Sequence, residues 1–306
     1  GTEANNLAIQ GIMARFPEGN MVVSAIEHDS VLVPAARYDC RQVGVQPDGT
    51  IDLSALVAAI DEHTVLVSVM YANNEVGTIE PLKDVAAAIE RVRAERQNKL
   101  PLYLHTDACQ AANYLDLHVS RLGVDLLTLN GGKIYGPKQS GVLYVGAHVE
   151  LQPQVLGGGQ ERGLRSGTEN VAQSVGLATA LELTQAMRRT ETERLQELQR
   201  YFFAGIKETL PRAVVNGSRK KRLPNNLHTT LPGIDNERLL MQLDEAGILA
   251  AAGSACSASD EEPSHVLRAM GVSEADAQSS LRFTMGRQTT KAAIDALLQA
   301  LRHFCA

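Results

Sequence analysis

The chain contains no tryptophan, and aromatic residues make up only 4% of its 306 residues. With so few flat rings, stacking platforms for bases or sugars are not expected. Basic residues are also in short supply. The formal net charge of -6 leaves no excess of Lys and Arg for a phosphate backbone, which argues against direct nucleic-acid binding. The one basic run, Arg219-Lys220-Lys221-Arg222, lies between turn-forming residues and reads as a solvated loop. No apolar run is long enough to span a bilayer, so no membrane association is expected. Cysteine is sparse too. Cys40, Cys109, Cys256 and Cys305 are far apart and form no CxxC pair, which disfavours a zinc site, any other metal site of that kind, and a disulfide framework. A cytoplasmic location suits such free thiols. The opening Gly1-Thr2-Glu3 reads directly as a helix start, so no signal peptide is expected.

What is present is an ordinary apolar fraction of 44%, enough for a large core. Thr2 reads as an N-cap, and Leu7, Ile9, Ile12 and Met13 form an apolar stripe behind it. Apolar runs at 21–25, 64–70, 102–106, 126–129 and 141–145 read as strands, and 52–60 and 81–96 as helices. Strands that are apolar throughout and alternate with helices indicate an α/β fold, its mostly parallel sheet covered by helices on both faces. After the glycine-rich stretch at 157–159, a long helix is expected over about 171–210, divisible into two pieces. Strands at 214–231 and 281–285 and helices at 237–245, 264–270 and 290–304 then suggest a smaller α+β domain. The expected division is a large domain over 1–189 and a small one over 190–306.

Several polar residues fall just past the C-terminal ends of strands: Glu27, Asn73, Asn74, Asp107 and Lys133. Open α/β sheets bind their ligands at that edge. A carboxylate such as Asp107 can hold a protonated pyridine nitrogen, and a lysine such as Lys133 can form a Schiff base. Together they are the minimum equipment for pyridoxal 5'-phosphate (PLP). Taken alone, such a pair is weak evidence and is far more often a capping Asp and a surface Lys. The helix start at Thr2 offers free N–H groups to a phosphate, or it is an ordinary cap. Cys256 sits among small residues in Gly253-Ser254-Ala255-Cys256-Ser257. That setting suits an accessible thiolate, although most lone cysteines are buried and inert. Arg282 and Arg287 could grip a carboxylate or make surface ion pairs.

Taken together, these segments resemble the cysteine desulfurases of the group I, iron–sulfur-cluster type, within the class V aminotransferase superfamily of fold-type-I PLP enzymes. The matching segments are Thr2-Glu3-Ala4-Asn5-Asn6, Glu27-His28, Asn73-Asn74-Glu75-Val76-Gly77, Asp107-Ala108-Cys109-Gln110, Lys133-Ile134-Tyr135-Gly136-Pro137, 157–168, 253–264 and 280–287. They are collinear and span the chain. The resemblance implies the PLP-dependent transferase fold and PLP as cofactor. Lys133 would hold the cofactor and move the substrate α-proton, Asp107 would pair with the pyridine nitrogen, and Gln110 would bond the ring hydroxyl. His28 would stack on the ring and shuttle a proton. Thr2 would bind the phosphate, and Thr168 the phosphate of a neighbouring subunit. Asn74 and Arg282 would hold the substrate carboxylate. Cys256 would take sulfur from L-cysteine as a persulfide, releasing L-alanine.

The implied partners are a second copy of the chain, as a homodimer, and an iron–sulfur scaffold or a tRNA-thiolating acceptor. Two departures from the family pattern stand out. Gly132 and Asn130 occupy positions where the family usually has His and Ser, both supporting the cofactor. The match also begins inside the phosphate-binding turn, so roughly seventy N-terminal residues of the pattern have no counterpart. The competing readings are a related aminotransferase or selenocysteine lyase, and an inactive truncated homologue that keeps the fold. The small-residue loop around Cys256 favours the desulfurase, because transamination needs no sulfur acceptor.

Overall fold

A computed structural model describes residues 1–253 and 263–305. Its residues group into two compact units. The first comprises 1–44, 51–72 and 80–187, and the second 45–50, 73–79 and 188–306. A single boundary near 189 therefore misses two short segments. One of them, 73–79, carries Asn74 into the second unit.

The first unit opens with helix α1 (Thr2–Arg15), strand β1 (Asn20–Ser24), helix α2 (Asp29–Ala35) and strand β2 (Cys40–Val43). Helix α3 (Leu53–Ala59), strand β3 (Thr64–Ser68), helix α4 (Leu82–Glu95) and strand β4 (Tyr103–Asp107) follow. Helix α5 (Val119–Leu122) and strands β5 (Leu126–Asn130) and β6 (Gly141–Val145) complete its sheet. The order is β2-β1-β3-β4-β5-β6. The first five strands are parallel, and β6 runs antiparallel to β5. Strands β1, β3 and β4 are buried along their whole length, which is why β1 and β3 read as largely apolar runs, while β4 ends in the buried polar residues His105, Thr106 and Asp107. The helices fall into two packed groups, α1 with α2 and α3 with α4 and α5. The core beneath α1 joins Ile9, Ile12 and Met13 to Met21, Val23, Leu66 and Leu126.

Helix α6 (Val171–Thr209) is one continuous helix of 39 residues rather than two pieces, and it passes from the first unit into the second. The second unit then builds a small antiparallel sheet from β7 (Val214–Val215), β8 (Asn226–Thr230) and β9 (Ser280–Thr284). Helices α7 (Asn236–Glu245), α8 (His265–Ala269), α9 (Glu274–Ala277) and α10 (Lys291–Phe304) complete it. The basic run is not uniformly solvated. Arg222 is buried and donates to the carbonyls of Asn216 and Val76, tying segment 73–79 to the small sheet, while Arg219 to Lys221 are exposed. No helix among the described residues is long and apolar enough to cross a membrane.

Candidate active site

Because β1, β3, β4 and β5 run parallel, their C-terminal ends share one edge of the sheet. The segments leaving that edge carry Glu27-His28, Met70, Asp107 and Lys133. Strand β2 lies on one side of β1 and β3 on the other, so β1 marks the switch in winding direction where ligands settle in such sheets.

Asp107 closes β4 and is buried. Its Oδ1 accepts from the Cys109 N–H at 2.9 Å, and its Oδ2 from Asn5 Nδ2 at 2.7 Å. Among the described residues no cationic side chain pairs with it. The same Asn5 amide donates to Ser30 Oγ at 2.8 Å, and that oxygen lies 2.9 Å from His28 Nδ1. His28 caps α2, its Nδ1 accepting from the Ser30 N–H at 3.0 Å. Sequence reasoning picked out Asp107 and His28 but missed the two residues joining them. The available signal was Asn5 itself. It precedes Ile9 and Ile12 by four and seven positions, which puts an amide on the buried face of α1.

Two further buried groups brace this edge. Glu27 Oε1 accepts from the Met70 N–H at 2.5 Å and joins the ends of β1 and β3. Burial raises its pKa well above the usual carboxylate range, the Met70 N–H opposes this, and Asp107 and Glu80 add to the rise. His105 bridges Ser68 and Thr128 on the flanking strands at 2.8 and 3.1 Å. Burial pushes its pKa down to about 4, against the pull of Asp107, and so keeps it neutral.

Lys133 lies in a short helical turn, Gly131–Lys133, directly after β5. Its side chain is exposed and makes no ion pair among the described residues. The lysine is therefore held by its backbone. Asn130 Oδ1 accepts from the Gly132 N–H at 2.9 Å, and the Lys133 carbonyl accepts from Asn113 Nδ2 at 2.7 Å. Asn130 thus serves as the acceptor that caps this turn. Gln110 is half-buried in the turn after β4.

The expectation that Thr2 caps α1 is corrected. Gly1 is the N-cap and Thr2 the first helical residue, and no side chain caps the helix. The first intrahelical bond runs from the Asn5 N–H to the Gly1 carbonyl. That leaves the N–H groups of Thr2, Glu3 and Ala4 as donors for an anion. A side chain on Gly1 would begin 2.9 Å from Cys109 Sγ, so glycine is what lets the helix start so close to the strand edge. Arg165 Nε donates to Glu3 Oε1 at 2.8 Å and brings loop 157–168 to the head of α1. Thr168, in the same stretch, is exposed.

In the second unit, Asn74 and Arg282 are brought together. Arg282 Nη1 donates to the Asn74 carbonyl at 2.9 Å. Cys256 lies outside the described residues, but both flanks of its segment are fixed. Ala251 exchanges two backbone bonds with Arg282, at 3.0 and 2.7 Å. Ser264 donates to Glu75 Oε2 at 2.5 Å. Ala251 and Ser264, on either side of the undescribed stretch, thus lie beside Arg282 and Glu75, and each of these is next to Asn74 in contact or in sequence. The described cysteines are poor thiolates. Burial is the main cause of a raised pKa in all three, taking Cys40 to about 11, Cys109 well above its usual range and Cys305 upward.

The mostly parallel sheet flanked by helices is the fold of fold-type-I PLP enzymes, and one edge of it carries a buried carboxylate with no ion-pair partner among the described residues, a lysine turn and an uncapped helix start. The family model for aminotransferase class V matches residues 1–297, and the chain belongs to that family, whose members are in general PLP-dependent. Curated relatives narrow the class. A cysteine desulfurase IscS of Dictyoglomus turgidum is 38% identical over 98% of this chain and 76% of its own length. Cysteine desulfurase IscS 1 of Archaeoglobus fulgidus is 40% identical over 98% of this chain and 78% of its own length. A solved NifS-like protein superposes with a TM-score of 0.88 at 30% identity, over 99% of this chain and 80% of that one.

Proposed function

We propose that the chain is a PLP-dependent cysteine desulfurase, converting L-cysteine to L-alanine and passing the sulfur to Cys256 as a persulfide. The observation that carries this reading is Asp107, a buried carboxylate with two N–H donors and no cation partner among the described residues. A charge buried in that way needs a positive partner, and the protonated ring nitrogen of PLP is one. The residues therefore fit the cofactor. Asp107 would hold the ring nitrogen, Gln110 the ring hydroxyl, the start of α1 with Thr2 the phosphate, and Thr168 the phosphate of a neighbouring subunit. Bound here, PLP supplies an electron sink for bonds breaking at the substrate α-carbon.

The chain's own groups do the rest. Asn74 and Arg282 orient the substrate carboxylate. Lys133 secures the cofactor and carries the proton at the substrate α-carbon, and His28 stacks over the ring and shuttles a second proton. The Cys256 thiolate attacks the substrate sulfur. The carbon–sulfur bond breaks with its electron pair left on the β-carbon, which takes up a proton to give alanine. Cysteine and a thiol thus become alanine and a persulfide, with no external oxidant. The raised pKa values of the other cysteines support Cys256 in this role.

Val171, Val175, Leu183 and Met187 of α6 are exposed at helical spacing, which supports a homodimer. The persulfide would pass to an iron–sulfur scaffold or a tRNA-thiolating acceptor in the cytoplasm.

The test is direct. The purified chain, incubated with PLP, is expected to show a visible cofactor absorbance band and, on addition of L-cysteine and a thiol reductant, to release sulfide and alanine in equal amounts. Absence of the band, or a band without alanine, would overturn the reading. A second expectation concerns Gly132. A Cβ there meets nothing closer than Asn130 Oδ1 at 3.4 Å, so Gly132→His should fold with an unchanged melting temperature. An imidazole at this position, where the family pattern has a His supporting the cofactor, should tighten PLP binding several-fold, as measured by titration of the absorbance band.

A further inference from the structure

We propose that Asn5 is a positioning residue that couples the Asp107 carboxylate to His28 through Ser30. The proposal rests on the PLP reading for its functional meaning, but the network itself does not. All four side chains lie in the first unit. Asn5 is fully buried, and its amide donates both protons, one to Asp107 Oδ2 at 2.7 Å and one to Ser30 Oγ at 2.8 Å.

The carboxylate decides which way the amide faces. Turning Asn5 over would set its carbonyl oxygen against Asp107, acceptor against acceptor. In the orientation that satisfies Asp107, Asn5 Oδ1 has no donor among the described residues. Leaving a buried acceptor unpaired is costly, so the two donated bonds outweigh that cost.

Direction then propagates along the chain of bonds. Ser30 Oγ accepts from Asn5, which leaves its own O–H free to donate to His28 Nδ1 at 2.9 Å. The same nitrogen accepts the Ser30 N–H at 3.0 Å. With two donors aimed at Nδ1, neutral His28 carries its proton on Nε2. Asn5 thus fixes the rotamer of the group assigned to the ring nitrogen, and also orients the Ser30 hydroxyl as the second of the two donors that hold the imidazole assigned to the ring face. Hydrogen bonds to a charged group are the stronger kind, so the Asp107 end should carry most of the effect on cofactor binding, and the Ser30 end most of the effect on His28.

The experiment compares the wild-type chain with Asn5→Ala and Ser30→Ala. The chain has eight histidines, and with 15N-labelled histidine the His28 signals are assigned by their loss in His28→Gln. Without PLP, wild-type His28 is expected as the Nε2–H tautomer, with its Nδ1 resonance displaced in both variants. With PLP, the dissociation constant should rise about tenfold in Asn5→Ala, from loss of a bond to a charged group, and stay within about twofold in Ser30→Ala. An Nδ1–H tautomer in the wild type, or an Nδ1 resonance unmoved in the variants, overturns the proposal. If Asn5→Ala does not fold, the Ser30→Ala resonance alone decides, and no displacement there counts against coupling. Failure of wild type to bind PLP would instead sink the cofactor reading and leave the His28 measurement to judge the network.

Discussion

Replacing Lys133 by Ala is expected to abolish the visible cofactor band and to reduce alanine formation from L-cysteine by at least about 10³-fold. The loss should be almost purely chemical. The Lys133 side chain is exposed and forms no ion pair among the described residues. The turn that presents it is held by Asn130, Asn113 and the backbone. The melting temperature of the cofactor-free variant should therefore match that of the wild type. Absorbance, an alanine assay and thermal unfolding measured side by side check all three parts. Retained turnover would show that another amine serves, and a large drop in melting temperature would show that the lysine has a structural role not visible in its contacts.

Replacing Cys256 by Ala should also cause a large loss of sulfur transfer but leave the cofactor band unchanged. Sulfide and alanine formation are expected to fall at least about 100-fold, because the acceptor is gone while the cofactor residues are untouched. The other cysteines are not expected to substitute. Burial raises the pKa of Cys40, Cys109 and Cys305, so each is held as a neutral thiol near neutral pH. Cys40→Ala and Cys305→Ala should thus leave turnover unchanged. A sulfide assay in the presence of reductant, run on all three variants, decides the matter; residual activity in Cys256→Ala close to wild type would contradict the assignment.

Much of the sheet was legible because its central strands are buried on both faces. Residues of β1, β3, β4 and β5 have no solvated face and so remain mostly apolar up to their C-terminal ends, which could be located closely enough to put Asp107 and Lys133 on one edge. Strand β2 escaped notice. It is an edge strand, half-exposed, and its sequence Cys-Arg-Gln-Val shows no hydrophobic pattern. Helix α2 was missed for another reason. Pro34 suggests a break, and the helix does end one residue later, at Ala35; the missing N–H costs the short helix one i→i−4 bond without preventing it.

The polar interior was the least legible part. Asn5 and Ser30 carry no chemistry of their own, and only the fold brings them to Asp107 and His28 across the 102 and 2 positions that separate the bonded pairs. Arg222 was misread for the same reason: in sequence it belongs to a basic run, whereas in the fold it is buried beneath two carbonyls. The placement of Asn74 beside Arg282 was likewise invisible, since their contact spans 208 positions. Propensity and periodicity report what a residue does to its own element, and these residues act between elements.

The central claim is that sulfur leaves L-cysteine for Cys256. The most direct measurement is intact-protein and peptide mass spectrometry after the PLP-loaded chain has reacted briefly with L-cysteine in the absence of reductant. The peptide containing Cys256 should gain the mass of one sulfur atom, with one alanine released per chain modified, and reductant should reverse the gain. The added sulfur appearing on Cys40, Cys109 or Cys305 instead, or alanine forming with no cysteine modified, would contradict the account.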